Sequence, residues 1–220
     1  MESAMKKLFV FLGDIVSSRK INNEAGFQRH LEEICALLNR THRSEIHADF
    51  KIVKGIDEIG AVLRCPSRLY EIIDTLLKEL HPYRMRMVLV YDCIDVGVET
   101  GDVSRMDGRA FHRASLMMEE LKKSRLLFRL SFGNDLLDAM IESQVNLILL
   151  LKSHWSETER RVIREYEKTG NQYKVAEVLG ISQQAVSKNI TKSYWKEIRL
   201  IEEKLNEVIE SYVRGLCGGA

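Results

Sequence analysis

Residues 172–191 read QYKVAEVLGISQQAVSKNIT, and their spacing predicts two short helices joined by a tight turn. Val175 and Leu179 lie four positions apart and are expected on the inner face of the first helix. Gly180 can adopt the positive φ that the turn requires, and Ser182 is a good N-cap for the second helix. This pattern is typical of a helix-turn-helix.

The second helix of this stretch presents a polar face. Val186, Ile190 and Tyr194 recur at intervals of four residues and are expected to face inward. Glutamine can pair with adenine, lysine with guanine or phosphate, and serine with either a base edge or a phosphate. The residues expected to read base edges are Gln183, Gln184, Ser187 and Lys188, and those expected to contact phosphates are Ser182, Thr191 and Lys192.

Charge is distributed unevenly along the chain. The 220 residues include 33 basic and 32 acidic side chains and carry a net charge of +1. Residues 168–199 nevertheless hold six basic and two acidic side chains, an excess that suits contact with phosphates. We therefore expect double-stranded DNA as a partner, while a three-helix module for protein contact remains an alternative.

The flanks of residues 172–191 complete a small helical domain. Ser156 and Glu159 have the spacing of a capping box, which predicts a preceding helix that ends near Gly170. Apolar residues at spacings of three and four then predict a long helix over 192–214, about 35 Å in length. An apolar helix face of this length needs a partner helix, either from the first domain or from a second subunit. A homodimer would present two recognition helices about one DNA turn apart.

The chain before residue 153 predicts an α+β domain. Its order of elements is βαββαβ, that of a ferredoxin-like sheet with two helices on one face, followed by an αβα extension. We thus expect two domains, an α+β domain over 1–152 and an all-α helix-turn-helix domain over 153–220 with a long C-terminal helix. The predicted elements are strands over 8–13, 50–53, 59–63, 83–91 and 126–132, and helices over 27–39, 66–81, 110–123 and 134–152.

Composition excludes several classes of protein. A hydrophobic fraction of 45% and only 2 Pro exclude a disordered or collagen-like chain. The four cysteines are far apart and form no Cys-x-x-Cys, which argues against a disulfide framework or a zinc ribbon and for a reducing, cytoplasmic setting. The most apolar late segment, 145–151, is too short for a membrane span, so no membrane is expected as a partner.

Acidic residues gather at one end of the predicted sheet. Asp14 follows the first strand, and Asp57 and Glu58 lie in the hairpin between the second and third strands. Neighbouring strands would bring these carboxylates close enough to hold Mg²⁺ and a nucleotide. Arg109 and Arg113, four residues apart at a helix start, could hold a phosphate. Each residue also has an ordinary interpretation as a cap, a turn residue or a solvated charge.

Three motifs carry a family resemblance. GDIVSSR at 13–19, GIDEI at 55–59 and MDGRAFHRA at 106–114 resemble the SatD family over about residues 7–125. That family is similar to the palm domains of class III nucleotidyl cyclases and GGDEF proteins, and its members often carry a C-terminal helix-turn-helix, here of sigma-region-4 or regulator type. The resemblance implies that Asp14 is the first metal-binding aspartate and that Asp57 with Glu58 is the acidic pair of the hairpin.

The sequence departs from the cyclase pattern at the hairpin and in the next helix. Ile56 replaces the second glycine of GGDEF and would fill the space that a nucleotide needs, Ile59 replaces its phenylalanine, and Ser115 replaces an arginine typical of SatD sequences. These departures indicate a degenerate site and argue against catalysis.

The function that we expect from the sequence is DNA-binding transcriptional regulation, with an N-terminal domain that senses a nucleotide or another small ligand. The alternatives are a Mg²⁺-dependent nucleotidyl transferase or cyclase that uses Asp14 and Asp57, and an interaction module without either activity.

Overall fold

The computed structural model describes residues 6–218, which form two compact units. The first unit comprises the described residues up to Ser143 together with those from Asn206 onward, and the second comprises Gln144–Leu205. The second unit is therefore continuous in sequence, whereas the first is built from two separate stretches of the chain.

The first unit contains a five-stranded sheet, so its α+β class is confirmed. The strand order is β2-β3-β1-β4-β5. The pairs β2·β3, β3·β1 and β1·β4 are antiparallel, and β4·β5 is parallel. The strands are β1 (Lys6–Ile15), β2 (Ile46–Lys54), β3 (Glu58–Leu63), β4 (Met85–Ile94) and β5 (Phe128–Ser131).

Helices connect these strands and cover the sheet. The element order is β1-α1-β2-β3-α2-β4-α3-β5-α4, with short 3₁₀ turns between some of the elements. The first four helices are α1 (Glu24–Thr41), α2 (Leu69–Glu79), α3 (Arg109–Lys122) and α4 (Asp135–Ser153).

Strand β1 is buried on both faces because its apolar run is nearly continuous. Phe9 and Phe11 are fully buried, and Phe11 makes an edge-on ring contact with Phe50 of β2. Leu8 and Val10 point to the opposite face and pack in the core that includes α3. Alternation of side chains along a strand therefore gives the sheet two covered faces.

Helix α2 begins later than the sequence predicts. Pro66 was expected in its first turn, but the helix starts at Leu69. The intervening residues form a turn that Glu45 stabilises, since its carboxylate accepts hydrogen bonds from the Ser67 hydroxyl (2.7 Å) and the Arg68 backbone N–H (3.2 Å). This distant partner is invisible to local helix signals.

The second unit contains three short helices around a small apolar core. The core residues are Val162, Val175, Val186 and Ile190, with Trp195 packed against them. Its helices are α5 (Glu157–Thr169), α6 (Gln172–Leu179) and α7 (Gln183–Lys192), followed by α8 (Trp195–Cys217), whose last residues belong to the first unit. The two helices predicted within residues 172–191 are thus present.

Local signals set the ends of these helices. Ser156 and Glu159 form the predicted capping box at the start of α5. Gly170 (φ 61°) and Gly180 (φ 65°) end α5 and α6 in the left-handed conformation that favours glycine.

Tyr194 corrects the prediction for the long C-terminal helix. It was expected to face inward from α7 within a helix that continued over 192–214. Instead it has a φ of 52° and is 64% exposed, and it separates α7 from α8. Helix α8 therefore begins at Trp195, although the sequence does predict its length.

The carboxyl-terminal part of α8 is integrated into the first unit. The Tyr212 hydroxyl donates to Asp138 (3.1 Å) and accepts from the Asn134 backbone N–H (3.0 Å). Burial and the nearby Asp138 carboxylate raise the pKa of Tyr212 to about 12. Cys65 and Cys217 form a disulfide, which the sequence argument against a disulfide framework did not anticipate. Their separation of 152 residues explains why spacing gave no signal.

No helix among residues 6–218 has both the length and the apolar composition needed to cross a membrane.

Candidate functional site

The exposed face of α7 is formed by side chains that have no partner among residues 6–218. Gln184, Lys188 and Thr191 are exposed, and their spacings of four and three residues place them on one side of α7. Within the described part of the chain, none of these three side chains makes a hydrogen bond or an ion pair. The half-buried Ser187 side chain is likewise unpaired among those residues. We call these four residues the α7 face.

The other three residues expected to contact DNA stabilise the fold. The Ser182 hydroxyl accepts a hydrogen bond from the Ala185 backbone N–H (3.1 Å) and so caps α7. The Gln183 amide donates to the Gln172 side chain (2.6 Å). The Lys192 ammonium lies 3.0 Å from the Glu159 carboxylate. The structure therefore separates the seven predicted residues into an available group and an engaged group.

Glu159 links the capping box to Lys192. Burial of its carboxylate opposes ionisation, but hydrogen bonds from the Ser156 backbone and from Lys192 lower the pKa of Glu159 below its usual range. The Lys192 charge is thereby neutralised locally, and Lys188 is the lysine of the predicted set that has no partner in the described part of the chain.

Two further residues at the start of α6 were missed by the sequence reasoning. Tyr173 is 74% exposed and Lys174 is also exposed, whereas the first-turn N–H groups of both residues are held by the Asn171 side chain. The available signal was their position in the sequence: Val175 and Leu179 define the inner face of α6, so the preceding tyrosine and lysine could have been predicted on its outer side.

The carboxylates at the end of β1 form a second polar group. Asp14 lies directly opposite Glu58 in the β1·β3 register. One Asp14 oxygen is 2.9 Å from the Arg86 guanidinium, and the other is 3.3 Å from the Lys122 ammonium. Lys122 also lies 3.8 Å from Glu58 and 3.2 Å from Glu119. We call these five residues the Asp14 cluster.

Lys122 is the central cation of the Asp14 cluster. Burial alone would lower the pKa of Lys122, but the hydrogen bond to Glu119 and the charge of Asp14 raise it above its usual range. The ammonium group therefore stays protonated at neutral pH. A cavity of about 190 Å³ lies beside it and is lined in part by Gly13, Ser115 and Lys54.

Asp57 is directed to a different partner from Asp14. Its carboxylate accepts a 2.5 Å hydrogen bond from the Ser18 hydroxyl in the loop after β1. The hairpin backbone joins the same loop, because the Ile15 N–H donates to the Asp57 carbonyl (3.0 Å). The Asp57 side chain thus ties the hairpin to the loop.

The Asp14 cluster does not fit a resident Mg²⁺ ion. Both Asp14 oxygens already face cations, and Lys122 lies between Asp14 and Glu58, where a metal ion would have to bind. Among residues 6–218 there is no group of three or more His, Cys, Asp or Glu side chains able to hold a metal ion. An ammonium group here balances the carboxylates instead.

Arg109 and Arg113 lie at the other end of α3 from Lys122. Thirteen residues separate Arg109 from Lys122, which corresponds to roughly 20 Å along a helix. The Arg109 backbone N–H donates to Asp95 (3.1 Å), and its guanidinium is 3.9 Å from Asp92. Arg113 is exposed and unpaired among the described residues. These arginines are therefore separate from the carboxylates near which the sequence reasoning placed a nucleotide.

The structure is that of a mixed α+β protein. Its second unit is helical, is continuous in sequence and exposes the polar α7 face. The family model of the SatD family matches residues 8–205, and the chain belongs to that family. The match extends well beyond the motifs at 13–114 and includes α6 and α7. A search of curated proteins gave no match to this chain.

Proposed function

We propose that this protein is a DNA-binding transcriptional regulator in which α6 and α7 form a helix-turn-helix of regulator or sigma-region-4 type. Helix α7 is the recognition helix, and the first unit senses a nucleotide or another small ligand. The observation that carries the proposal is the α7 face, because its polar side chains are exposed and unpaired among the described residues.

The chemistry of the α7 face suits a base edge. Gln184 offers an amide that can pair with the N6 and N7 atoms of adenine, and Lys188 can donate to guanine or to a phosphate. Thr191 can donate to a phosphate from the end of the same face. A helix face buried in the core of a protein interface would be expected to be apolar and poor in charged side chains, unlike the α7 face.

The start of α6 supports the same orientation. Tyr173 and Lys174 are exposed there, and in helix-turn-helix proteins the first helix of the motif crosses the DNA backbone. A tyrosine hydroxyl and a lysine ammonium are both suitable phosphate donors. We therefore assign Tyr173 and Lys174 to the phosphate backbone together with Thr191.

The topology of the first unit supports a ferredoxin-like palm. The order β2-β3-β1-β4, with antiparallel neighbours and with α1 and α2 as the two helical connections, matches the βαββαβ arrangement. Strand β5 and α4 extend it. A palm of this kind, in which both Asp14 oxygens are paired with cations, suits a binding domain better than a Mg²⁺-dependent enzyme.

We propose a second copy of the chain as the protein partner. Leu200 and Ile201 of α8 are large, exposed apolar side chains in the second unit. A helix–helix contact through α8 would cover them and would place two recognition helices on one DNA duplex.

The test is selection of bound sequences from a random duplex library at two salt concentrations. We expect enrichment of an inverted repeat and weaker binding at higher salt. Gln184→Ala should relax the preference at one position of each half-site, whereas the matched control Gln144→Ala, at an exposed position on α4, should not. A library that shows no enriched motif for the folded full chain would contradict the proposal.

A further inference from the structure

A second cavity of the first unit is lined by arginines. Its volume is about 420 Å³, and no lining residue is acidic. The cavity lies where β1 ends, where β4 begins and where α3 is followed by β5. The lining residues are Val16, Arg84, Arg86, Ser124, Arg125, Leu126 and Leu127. We call this cavity the arginine pocket.

Strand geometry brings two of the arginines to one face of the sheet. Arg86 lies opposite Asp14 in the β1·β4 register. The Val16 N–H donates to the Arg84 carbonyl (2.8 Å), which continues the same ladder by one residue beyond its last pair, Ile15 and Met85. Alternate residues of an extended chain point to the same side, so Arg84 and Arg86 share a face.

The third arginine comes from the segment that follows α3. The Met87 N–H donates to the Leu127 carbonyl (2.7 Å) and fixes this segment beside β4. The Leu121 carbonyl, near the end of α3, accepts from both the Ser124 backbone N–H (3.0 Å) and the Ser124 hydroxyl (3.0 Å). The Ser124 hydroxyl is therefore already engaged as a donor, and the charged donors of the pocket are its arginines.

The charges of the arginine pocket are only partly balanced. Arg86 is paired with Asp14, and Asp14 is shared with Lys122. The side chains of Arg84 and Arg125 are exposed and form no ion pair with any residue between 6 and 218. The Asp14 cluster contains both signs of charge, whereas the arginine pocket contains cations alone.

We propose that the arginine pocket binds the phosphate group of a small phosphorylated molecule, with a nucleoside monophosphate as the best fit. Guanidinium groups present paired donors that match phosphate oxygens, and two unpaired arginines supply the charge. Val16, Leu126 and Leu127 offer an apolar wall for the remainder of the ligand. The volume lies within the range of small-ligand sites.

This proposal deepens the sensing role given to the first unit above and rests on the proposed function in that respect. Binding of the phosphate compound and binding of DNA are measured separately, so that each can fail alone. If the arginine pocket binds no phosphate while a DNA motif is still enriched, only the present inference fails. If phosphate binding is observed without any DNA motif, only the regulatory function fails.

The experiment is isothermal titration calorimetry on the full chain at low salt with inorganic phosphate, AMP and adenosine. We expect AMP and phosphate to bind and adenosine not to bind. Arg84→Gln and Arg125→Gln should each weaken AMP binding about tenfold, as expected for the loss of one charged hydrogen-bond donor. Arg29→Gln, at an exposed position of α1 that is unpaired among the described residues, is the matched control.

The arms of the experiment also identify the source of the phosphate. AMP that binds more tightly than inorganic phosphate supports a nucleotide, and equal affinities support a phosphate-only site. Unchanged AMP affinity in the folded double variant Arg84→Gln/Arg125→Gln would overturn the proposal. The proposal would also be overturned if adenosine bound as tightly as AMP or if a short DNA duplex displaced AMP. An equal loss of AMP affinity in Arg29→Gln would overturn it as well.

Discussion

The Asp14 cluster and the α7 face differ in how far the folded chain satisfies their polar groups. Asp14 is buried, and each of its oxygens faces a cation, whereas Gln184 and Lys188 are exposed and unpaired among the described residues. A charge that is balanced internally contributes to stability, and a polar group that is left open is available for a partner. This difference is the reason why the α7 face, and not the Asp14 cluster, is proposed for recognition.

The largest effect is expected where a buried ion pair is broken. Lys152 and Glu202 form such a pair in the second unit, and both side chains are almost fully buried. Lys152→Ala should lower the free energy of unfolding by about 3 kcal/mol, because it leaves a buried carboxylate with less compensation. Trp155 and Trp195 both lie in this unit, so urea unfolding followed by tryptophan fluorescence measures the loss.

Two further variants test that interpretation. Lys196→Ala, at an exposed position without a partner among the described residues, should change the free energy of unfolding by less than about 0.5 kcal/mol. The double variant Lys152→Met/Glu202→Leu should recover most of the lost stability, since apolar replacement of both partners removes the unpaired charge. A loss in the double variant as large as that in Lys152→Ala would contradict the ion-pair explanation.

A smaller loss is expected in the Asp14 cluster. Asp14→Asn should destabilise the first unit by about 2 kcal/mol, because Arg86 and Lys122 would then repel each other without a carboxylate between them. Faster hydrogen exchange at the amides of β1 measures this loss. Asp49→Asn, which breaks the exposed pair with Arg43, should cost less than about 0.5 kcal/mol. Unchanged exchange in Asp14→Asn would favour a chemical role for this carboxylate instead.

Gln184 should affect binding rather than stability. Gln184→Ala is expected to leave the unfolding free energy within about 0.5 kcal/mol of the starting protein. It should also reduce discrimination at one base pair about tenfold, since a good bidentate contact contributes about 1 to 3 kcal/mol. Fluorescence anisotropy with the selected duplex and a single-base mismatch measures this ratio. Equal weakening on both duplexes would reassign Gln184 to the phosphate backbone.

The smallest effect is a pH dependence at Glu45. Burial of this carboxylate opposes ionisation, but the His42 ring nitrogen 3.6 Å away and the hydrogen bond from the Ser67 hydroxyl prevail and lower the pKa of Glu45 below its usual value of 4.5. Its stabilising contribution is therefore complete above pH 4.5 and is lost as the pH falls through the lowered pKa. Glu45→Gln should cost about 1 kcal/mol at pH 7, and the difference should shrink below pH 4.5.

Acid unfolding followed by circular dichroism measures the Glu45 effect. Glu99→Gln, at an exposed position that is unpaired among the described residues, should follow the starting protein at every pH. A difference between Glu45→Gln and the starting protein that grows as the pH falls would contradict the assigned sign.

Local signals explain why much of the fold was predictable. The apolar run of β1, the capping box of Ser156 and Glu159, and the turn at Gly180 each act within a few residues. The α+β class and the two helices of residues 172–191 follow from such signals. The start of α2 and the break at Tyr194 were missed because distant contacts or an unusual φ set them.

The candidate sites were less predictable because their chemistry depends on long-range partners. The facing pair Asp14 and Glu58 follows from hairpin topology, but Arg86 and Lys122 approach from other elements, 72 and 108 positions away from Asp14 along the chain. Gln183 and Lys192 resemble Gln184 and Lys188 in the sequence, and only their contacts with Gln172 and Glu159 distinguish them. Residue type could nominate these positions but could not show which were already engaged.

The return of the chain to the first unit after Leu205 has a practical consequence for dissection of the protein. Tyr212 bonds to Asp138, Tyr91 donates to the Leu216 carbonyl (3.3 Å), and Cys217 is joined to Cys65. Along the sequence, residues 144–205 are therefore inserted between the two stretches that form the first unit. Truncation after residue 205 would remove one of these stretches from that unit. Transplanting the helical unit into another scaffold requires two splice points, and isolating the sheet unit requires a graft that joins residue 143 to residue 206.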